Sequence, residues 1–311
     1  MANTLGVNID ANSVIEQFEK EQEVITPKKK TMFSEKNYLQ ARLAPGETSK
    51  TLTIRLLPFS PEGGTPFKKV WIHTVKVDKE VSPGGWRTFV CPIHNGFDDK
   101  CPFCETSKKA KEMKFSAETE VEKNKYGEVE YMNRAKEAWI VRVIERGHEE
   151  DGPKFWLFNN SRKKDGPYDK IMNLYTQRWN AARAKGKENN IFDINDGKDL
   201  ILTLTKDSNN KTVIQITDDD EKSPLSENYE TAKAWIDNEK KWNEVYVAKP
   251  YNYTSIIVSG GVPVWDKATQ GWVDKVELEK ARKEAEIEEM GKNFTEQSND
   301  FSTFVDEEIK F

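Results

Sequence analysis

At 311 residues the chain exceeds one typical domain of roughly 100–200 residues, so one large core with appendages, or two small domains, is expected. Hydrophobic residues make up 36% and charged residues 32%. No run approaches the ~18 apolar residues of a membrane helix, and no basic-then-apolar leader opens the chain, which points to a soluble intracellular protein with no membrane partner. The net charge of −5 hides a layout: −4 over residues 1–25, +9 over 26–217, −4 over 218–273 and −6 over 274–311. A basic middle between acidic ends suits a polyanion-binding body with a polyanion-mimicking tail, although alternating Lys-rich and Glu-rich surfaces would give the same sums.

Residues 10–23 read as a short acidic amphipathic helix within an acidic arm over 1–25, with Val14, Ile15 and Phe18 on one stripe. A basic cluster, Lys28-Lys29-Lys30-Thr31, follows in the segment 26–32. Leu52, Ile54 and Leu56 then alternate with Thr53 and Arg55 in a strand that Pro58 ends. Strands over Lys69–Val77 and Trp86–Val90 flank Ser82-Pro83-Gly84-Gly85 and read as a hairpin. Glu105–Lys114 has helical composition, while residues 116–135 are charged and fit no one period. Trp139–Ile144 and Lys154–Phe158 are the next strands. Residues 167–185 form a helix on the spacing of Tyr168, Ile171, Met172, Tyr175 and Trp179. A second hairpin, Leu200–Thr205 with Thr212–Ile216, turns at Ser208-Asn209-Asn210, and one helix is expected over 227–243. The rest divides into an aromatic stretch with an exposed helix over 251–290 and an acidic, disordered tail over 291–311. Short strands interrupted by helices favour a β-rich α+β fold built on a small, partly open β-barrel over a doubly wound sheet.

Three cysteines cannot make a disulfide framework, and all fall between positions 91 and 104. With one histidine, His73-x17-Cys91-x9-Cys101-x2-Cys104 is the Cys₃His set of a closed structural zinc site. The Cys101-Pro-Phe-Cys104 knuckle lets two thiolates reach one ion, and Pro102 suits the first turn of a following helix. If the hairpin turn centres near Ser82, position 73 lies directly across from 91. His94, in Cys91-Pro-Ile-His94, is the rival fourth ligand. His148, beside Glu149, Glu150 and Asp151, reads as a solvated loop residue. Four protein ligands leave a metal no open position, and no carboxylate cluster of metal-binding spacing is present. No catalytic residues are assigned, and the chain is not expected to be an enzyme.

The basic middle also carries many aromatics, the combination with which single-strand binders stack bases and track phosphates. The interleaving is densest at Arg134, Lys136 and Trp139, at Arg142 and Arg146 on one strand face and its extension, and from Phe155, Trp156 and Phe158 into Arg162, Lys163 and Lys164. Because one face cannot hold both Phe155 and Trp156, one of the two is expected in the core and the other in solvent. Arg55, Lys114 and Tyr175 complete the DNA-binding candidates.

The order Leu52-x-Ile54-Arg55-Leu56-Leu57-Pro58, His73, a hairpin, Cys91, Cys101-Pro-Phe-Cys104 and the strand at Trp139 resembles the T-even phage helix-destabilising, single-stranded-DNA-binding protein family over roughly residues 26–190. The resemblance implies an OB-fold core over 33–250 with an inserted zinc subdomain at about 67–115 and a helical C-terminal extension. It also implies one structural zinc on His73, Cys91, Cys101 and Cys104, and sequence-nonspecific coating of single-stranded DNA in phage replication, recombination and repair. Lys28, Lys29 and Lys30 would promote cooperative self-association on DNA. The acidic tail would contact replication and recombination proteins and compete with DNA. Three features depart from the family pattern: the basic cluster follows an acidic arm, the segment between His73 and Cys91 is longer than usual, and Asp306-Glu-Glu-Ile-Lys-Phe311 is weakly acidic for such a tail. The alternative from another class is a zinc-stapled virion or scaffold protein that works through protein contacts.

Overall fold

The computed structural model describes residues 37–44, 46–58, 65–159, 165–187 and 189–288. The predicted helix at 10–23, Lys28, Lys29, Lys30, Arg162, Lys163, Lys164 and the tail over 291–311 lie outside the described residues. The fold is α+β with a mostly antiparallel sheet. The described residues divide into two compact units, each discontinuous in sequence: those up to Lys68 with Ile140–Tyr246, and Lys69–Trp139 with those from Val247 onward.

The first unit is built on β1 (Ser49–Leu57), β4 (Lys136–Glu145, from Ile140 onward), β5 (Lys154–Asn159), β6 (Leu200–Lys206) and β7 (Thr212–Asp218). β1 lies between β4 and β6, β7 adds beyond β6 and β5 pairs with β4. Ile54 faces Leu200 on one side and Glu145 on the other, both antiparallel. Ile54, Leu56, Leu57, Ile140, Val141, Val143, Ile144, Leu200, Leu202 and Leu204 are all buried, so the centre of the sheet is covered on both faces. The helix α3 (Pro167–Arg183) buries Ile171, and α4 (Tyr229–Ile236) sets Trp235 against Leu57, Ile144 and Leu225. Among the described residues this sheet does not close into a barrel. The single helix expected at 227–243 is two: α4 ends at Ile236, and the one-turn α5 (Trp242–Val245) begins after a break at 237–241.

The second unit starts with the hairpin of β2 (Phe67–Lys76, from Lys69 onward) and β3 (Trp86–Val90). Two helices follow: α1 (Pro102–Ser116) and α2 (Glu120–Asn133). α2 falls in the stretch that periodicity left unassigned. A reciprocal capping box starts it, with the Thr119 hydroxyl accepting from the Glu122 amide and the Glu122 carboxylate accepting from the Thr119 amide. The aromatic stretch after 250 folds as α6 (Tyr251–Val258) and a β8 (Pro263–Asp266)–β9 (Gly271–Asp274) hairpin, then a helix over 275–288. It belongs with the cysteines: Tyr253 and Ile257 share a core with Val75, Phe89, Cys91, Cys101 and Phe103. The zinc subdomain expected at about 67–115 thus shares its unit with residues to 139 and with the chain after 247. No described helix is long and apolar enough to cross a membrane.

Candidate functional site

The four donors of the Cys₃His pattern come from three places in the second unit. His73 is on β2, fully buried; Cys91 follows the last residue of β3; Cys101 and Cys104 bracket the start of α1. Cys101 is the extended N-cap residue, Pro102 is the first helical residue, and the Glu105 amide donates to the Cys101 carbonyl. Three residues further, Cys104 turns back onto the same side.

The hairpin register differs from the expected one by two residues. His73 pairs with Phe89, not Cys91, because Gly85, at φ +67, closes the loop back onto Val77. A two-residue shift keeps the same face, so Cys91 stays diagonal to His73 and on its side of the hairpin, whereas a one-residue shift would have turned it away.

The four ligand atoms lie within 4.8 Å of one another. Cys91 Sγ is 3.6 Å from Cys104 Sγ, and His73 Nε2 is 3.4 Å from Cys101 Sγ and 3.7 Å from Cys104 Sγ. A tetrahedron with metal bonds of ~2.0–2.3 Å has edges of about 3.5–3.8 Å, so these three separations are close to those of a metal's coordination shell. His73 Nδ1 lies 2.8 Å from the Asn133 carbonyl at the end of α2. That carbonyl fixes the proton on Nδ1 and leaves the Nε2 lone pair aimed at the sulfurs, the outer hydrogen bond that orients a ligating histidine.

Without an ion, protons balance the charge of this cluster. Hydrogen bonds from the Cys104 and Cys91 thiols hold the Cys101 thiol far below its ordinary range, and the same coupling drives Cys104 upward. Burial acts to lower the pKa of His73, but hydrogen bonds and charge from Cys101 and Cys91 outweigh it and raise the value to about 9. Three sulfurs at this spacing repel one another once ionised, and a divalent cation is what allows all three to be thiolates. The residues fit one structural metal ion. With four protein donors around it, such an ion would have no position left for substrate.

A fifth donor borders the cluster. His94 Nδ1 is 3.1 Å from Cys91 Sγ and 3.7 Å from Cys104 Sγ, with its ring tilted over Trp71 at 5.2 Å. His148 is exposed and 3.8 Å from Glu150, away from any cluster.

The DNA-binding candidates separate into two groups. Arg55 is 1% exposed and donates to Asp199, to the Ser223 carbonyl at 2.6 Å and to the Asp193 carbonyl at 2.9 Å. Arg142, 3% exposed, donates to the Trp235 carbonyl at 2.6 Å. Arg146 holds Asp199 through two hydrogen bonds, at 2.8 and 3.0 Å, and also reaches the Leu225 carbonyl. These three guanidiniums tie strands to loops, Arg55 and Arg142 from the interior and Arg146 from a partly buried position. Trp156 and Phe158 are buried too, as is Phe155, so the expectation that Phe155 and Trp156 divide between core and solvent does not hold. The β5 backbone is covered by the Tyr38–Leu39 segment and by Tyr246, whose hydroxyl donates to the Phe155 carbonyl. Tyr175 is half-buried and stacks on Phe192 at 4.8 Å and Trp179 at 6.2 Å beside a cleft of about 470 Å³.

The second group keeps its charge near the surface of the second unit. Arg134 and Lys136 each lie 4.6 Å from the centre of the Tyr131 ring, which is half exposed. Lys69 sits 5.5 Å from the Trp139 ring and pairs with Glu137. Lys114, paired with Glu130 at 3.7 Å, ends a helix that also exposes Lys108, Lys109 and Lys111. Lys69 was not among the sequence candidates, and Tyr131 was only one of the many aromatics of the basic middle. The spacing Tyr131-x2-Arg134-x-Lys136 was there to be read, but it straddles a helix end and a strand start, so no single periodicity marks it.

No family model and no curated protein matches this chain.

Proposed function

We propose that this chain is a sequence-nonspecific single-stranded-DNA-binding protein of the T-even phage helix-destabilising type, with one structural zinc on His73, Cys91, Cys101 and Cys104 and no chemistry of its own. In this reading the open sheet of the first unit is an OB-fold-like core, and the protein coats DNA during phage replication, recombination and repair. Zinc is the metal that a compact Cys₃His set selects among common divalent ions, because soft thiolates disfavour magnesium and calcium.

The observation that carries the reading is the cation–aromatic group of the second unit: Arg134 and Lys136 over Tyr131, and Lys69 over Trp139, with the exposed lysines of α1 in the same unit. Aromatic faces stack on any base while cations follow the phosphates, which supplies affinity without sequence readout. His73 connects this group to the metal cluster, since Asn133, its hydrogen-bond partner, ends the helix that carries Tyr131. In this proposal Arg134, Lys136 and Trp139 keep the DNA-binding role expected of them, Lys69, Lys108, Lys111 and Tyr131 join them, and Arg55, Arg142, Arg146, Trp156 and Phe158 have structural roles instead.

Charge reversal tests this. Arg134→Glu with Lys136→Glu is expected to cut oligo(dT) affinity at least tenfold at low salt, with zinc content and thermal melting unchanged. Unchanged affinity in a folded, zinc-loaded double variant would refute the proposal and favour the scaffold alternative.

A further inference from the structure

His94 is exposed, yet its position is specified. It lies in the turn Pro92–Phe97, closed by the Gly96 amide donating to the Ile93 carbonyl and the Phe97 amide donating to the Pro92 carbonyl, with Gly96 at φ +73. Asn95 clamps that turn to the hairpin: its amide nitrogen donates to the Trp71 and Cys91 carbonyls at 2.8 and 2.7 Å, and its oxygen accepts from the Trp71 amide. Trp71 in turn lies against the His94 ring. The imidazole is thus held from two sides with Nδ1 aimed at the Cys91–Cys104 edge of the cluster.

The distances distinguish a ligand from a donor. His94 Nδ1 approaches Cys91 Sγ to 3.1 Å, shorter than the 3.4–3.7 Å that separates Cys104 from Cys91 and His73 from Cys101 and Cys104, and within hydrogen-bond reach of sulfur. Cys101 already accepts a hydrogen bond from the backbone amide of Cys104.

We propose that His94 is a positioning residue for the metal, with its Nδ1–H donating to the Cys91 thiolate and more weakly to Cys104. Three thiolates on one divalent ion leave the centre with an excess negative charge. An N–H aimed at the outer edge offsets part of that charge, draws electron density from the sulfur and keeps Cys91 from leaving the ion. This goes beyond the zinc reading and rests on it.

The test uses the full-length, zinc-loaded protein and a chromogenic chelator. His94→Phe keeps a ring against Trp71 but has no donor, and is expected to release zinc about tenfold faster, the lower end of what outer hydrogen bonds contribute to metal affinity. His94→Gln, which restores an N–H, is expected to recover most of that loss. In the cobalt(II)-substituted protein, His94→Phe should shift the sulfur-to-metal charge-transfer band while the tetrahedral d–d bands keep their intensity. Equal release rates for wild type and His94→Phe would overturn the proposal. So would collapse of the d–d bands with loss of stoichiometric metal, which would make His94 a ligand. A wild-type protein that takes up no zinc or cobalt would instead refute the metal reading itself.

Discussion

Replacing Arg55 by Met removes a charge while keeping most of the side-chain volume, and separates a structural role from a DNA-binding one. In the folded protein the guanidinium is 1% exposed and reaches Asp199 at 3.2 Å, the Ser223 carbonyl at 2.6 Å and the Asp193 carbonyl at 2.9 Å. Met leaves two carbonyls without their charged donor, at roughly 1–3 kcal/mol each where water cannot replace it. Asp199 keeps Arg146, so its charge is not stranded. Against this stands the relief of a buried cation, whose pKa burial already lowers. The net expectation is a loss of about 2–4 kcal/mol, or roughly 10 °C in melting temperature for a unit of this size. Urea unfolding followed by tryptophan fluorescence measures it, and a parallel oligo(dT) titration below the transition should show affinity within about twofold of wild type. A destabilisation under ~0.5 kcal/mol, or a clear fall in affinity with stability intact, would refute the assignment of Arg55 to the interior.

Four further outcomes follow from the same structure. Lys136→Ala is expected to weaken single-stranded-DNA binding uniformly across sequences and reduce the salt slope by about 0.7, with stability within ~0.5 kcal/mol, as checked by titrations at several salt concentrations. Gly197→Ala places a methyl group against the Asp193 carbonyl and the Arg55 guanidinium, so it should lower stability by about 1–3 kcal/mol in urea unfolding. Zinc removal by a chelator should destabilise the Val75–Phe89–Phe103–Tyr253 core far more than the first unit. Hydrogen exchange on β1 and β6 that changes as much as on β2 and β3 would contradict this. Asp218 titrates below its ordinary 3.8: burial acts to raise it, but hydrogen bonds and charge from Arg178, with Lys198 beyond, outweigh burial. Its stabilising effect is therefore complete above that ordinary value and lost as pH falls through the depressed one. Asp218→Asn should flatten this acid limb of the stability curve, as read by urea midpoints across pH.

What the sequence revealed, and what it did not, follows from the range of each signal. Leu52, Ile54 and Leu56 marked β1 because alternation is local, and Pro102 marked the start of α1 because helix-start chemistry is local. The Cys₃His donor set was readable because few other arrangements place three cysteines and a histidine at such spacing. The same local reading left Arg55, which alternates with Ile54 and Leu56, among the DNA-binding candidates. Its partner Asp199 is 144 residues away, and nothing near position 55 announces it. β5 failed for the same reason. Phe155, Trp156 and Phe158 are all buried, and the segments that hydrogen-bond the β5 backbone, at residues 38–39 and 246, are far away in sequence, so alternation rules for a half-exposed strand did not apply. The capping box of α2 was a local signal that was overlooked, because the helix between Thr119 and Arg134 buries no residue and so shows no apolar stripe.

The most direct test of the central claim is a tryptophan-fluorescence titration of the zinc-loaded protein with oligo(dT), compared with duplex of the same length, over a series of salt concentrations. The expected result is saturable quenching by the single strand, weaker binding to duplex, and a linear loss of log affinity with log salt at a slope of about −2 to −3, as three or four phosphate contacts would give. Absence of single-strand binding at low salt, with zinc bound and the fold intact, would contradict it.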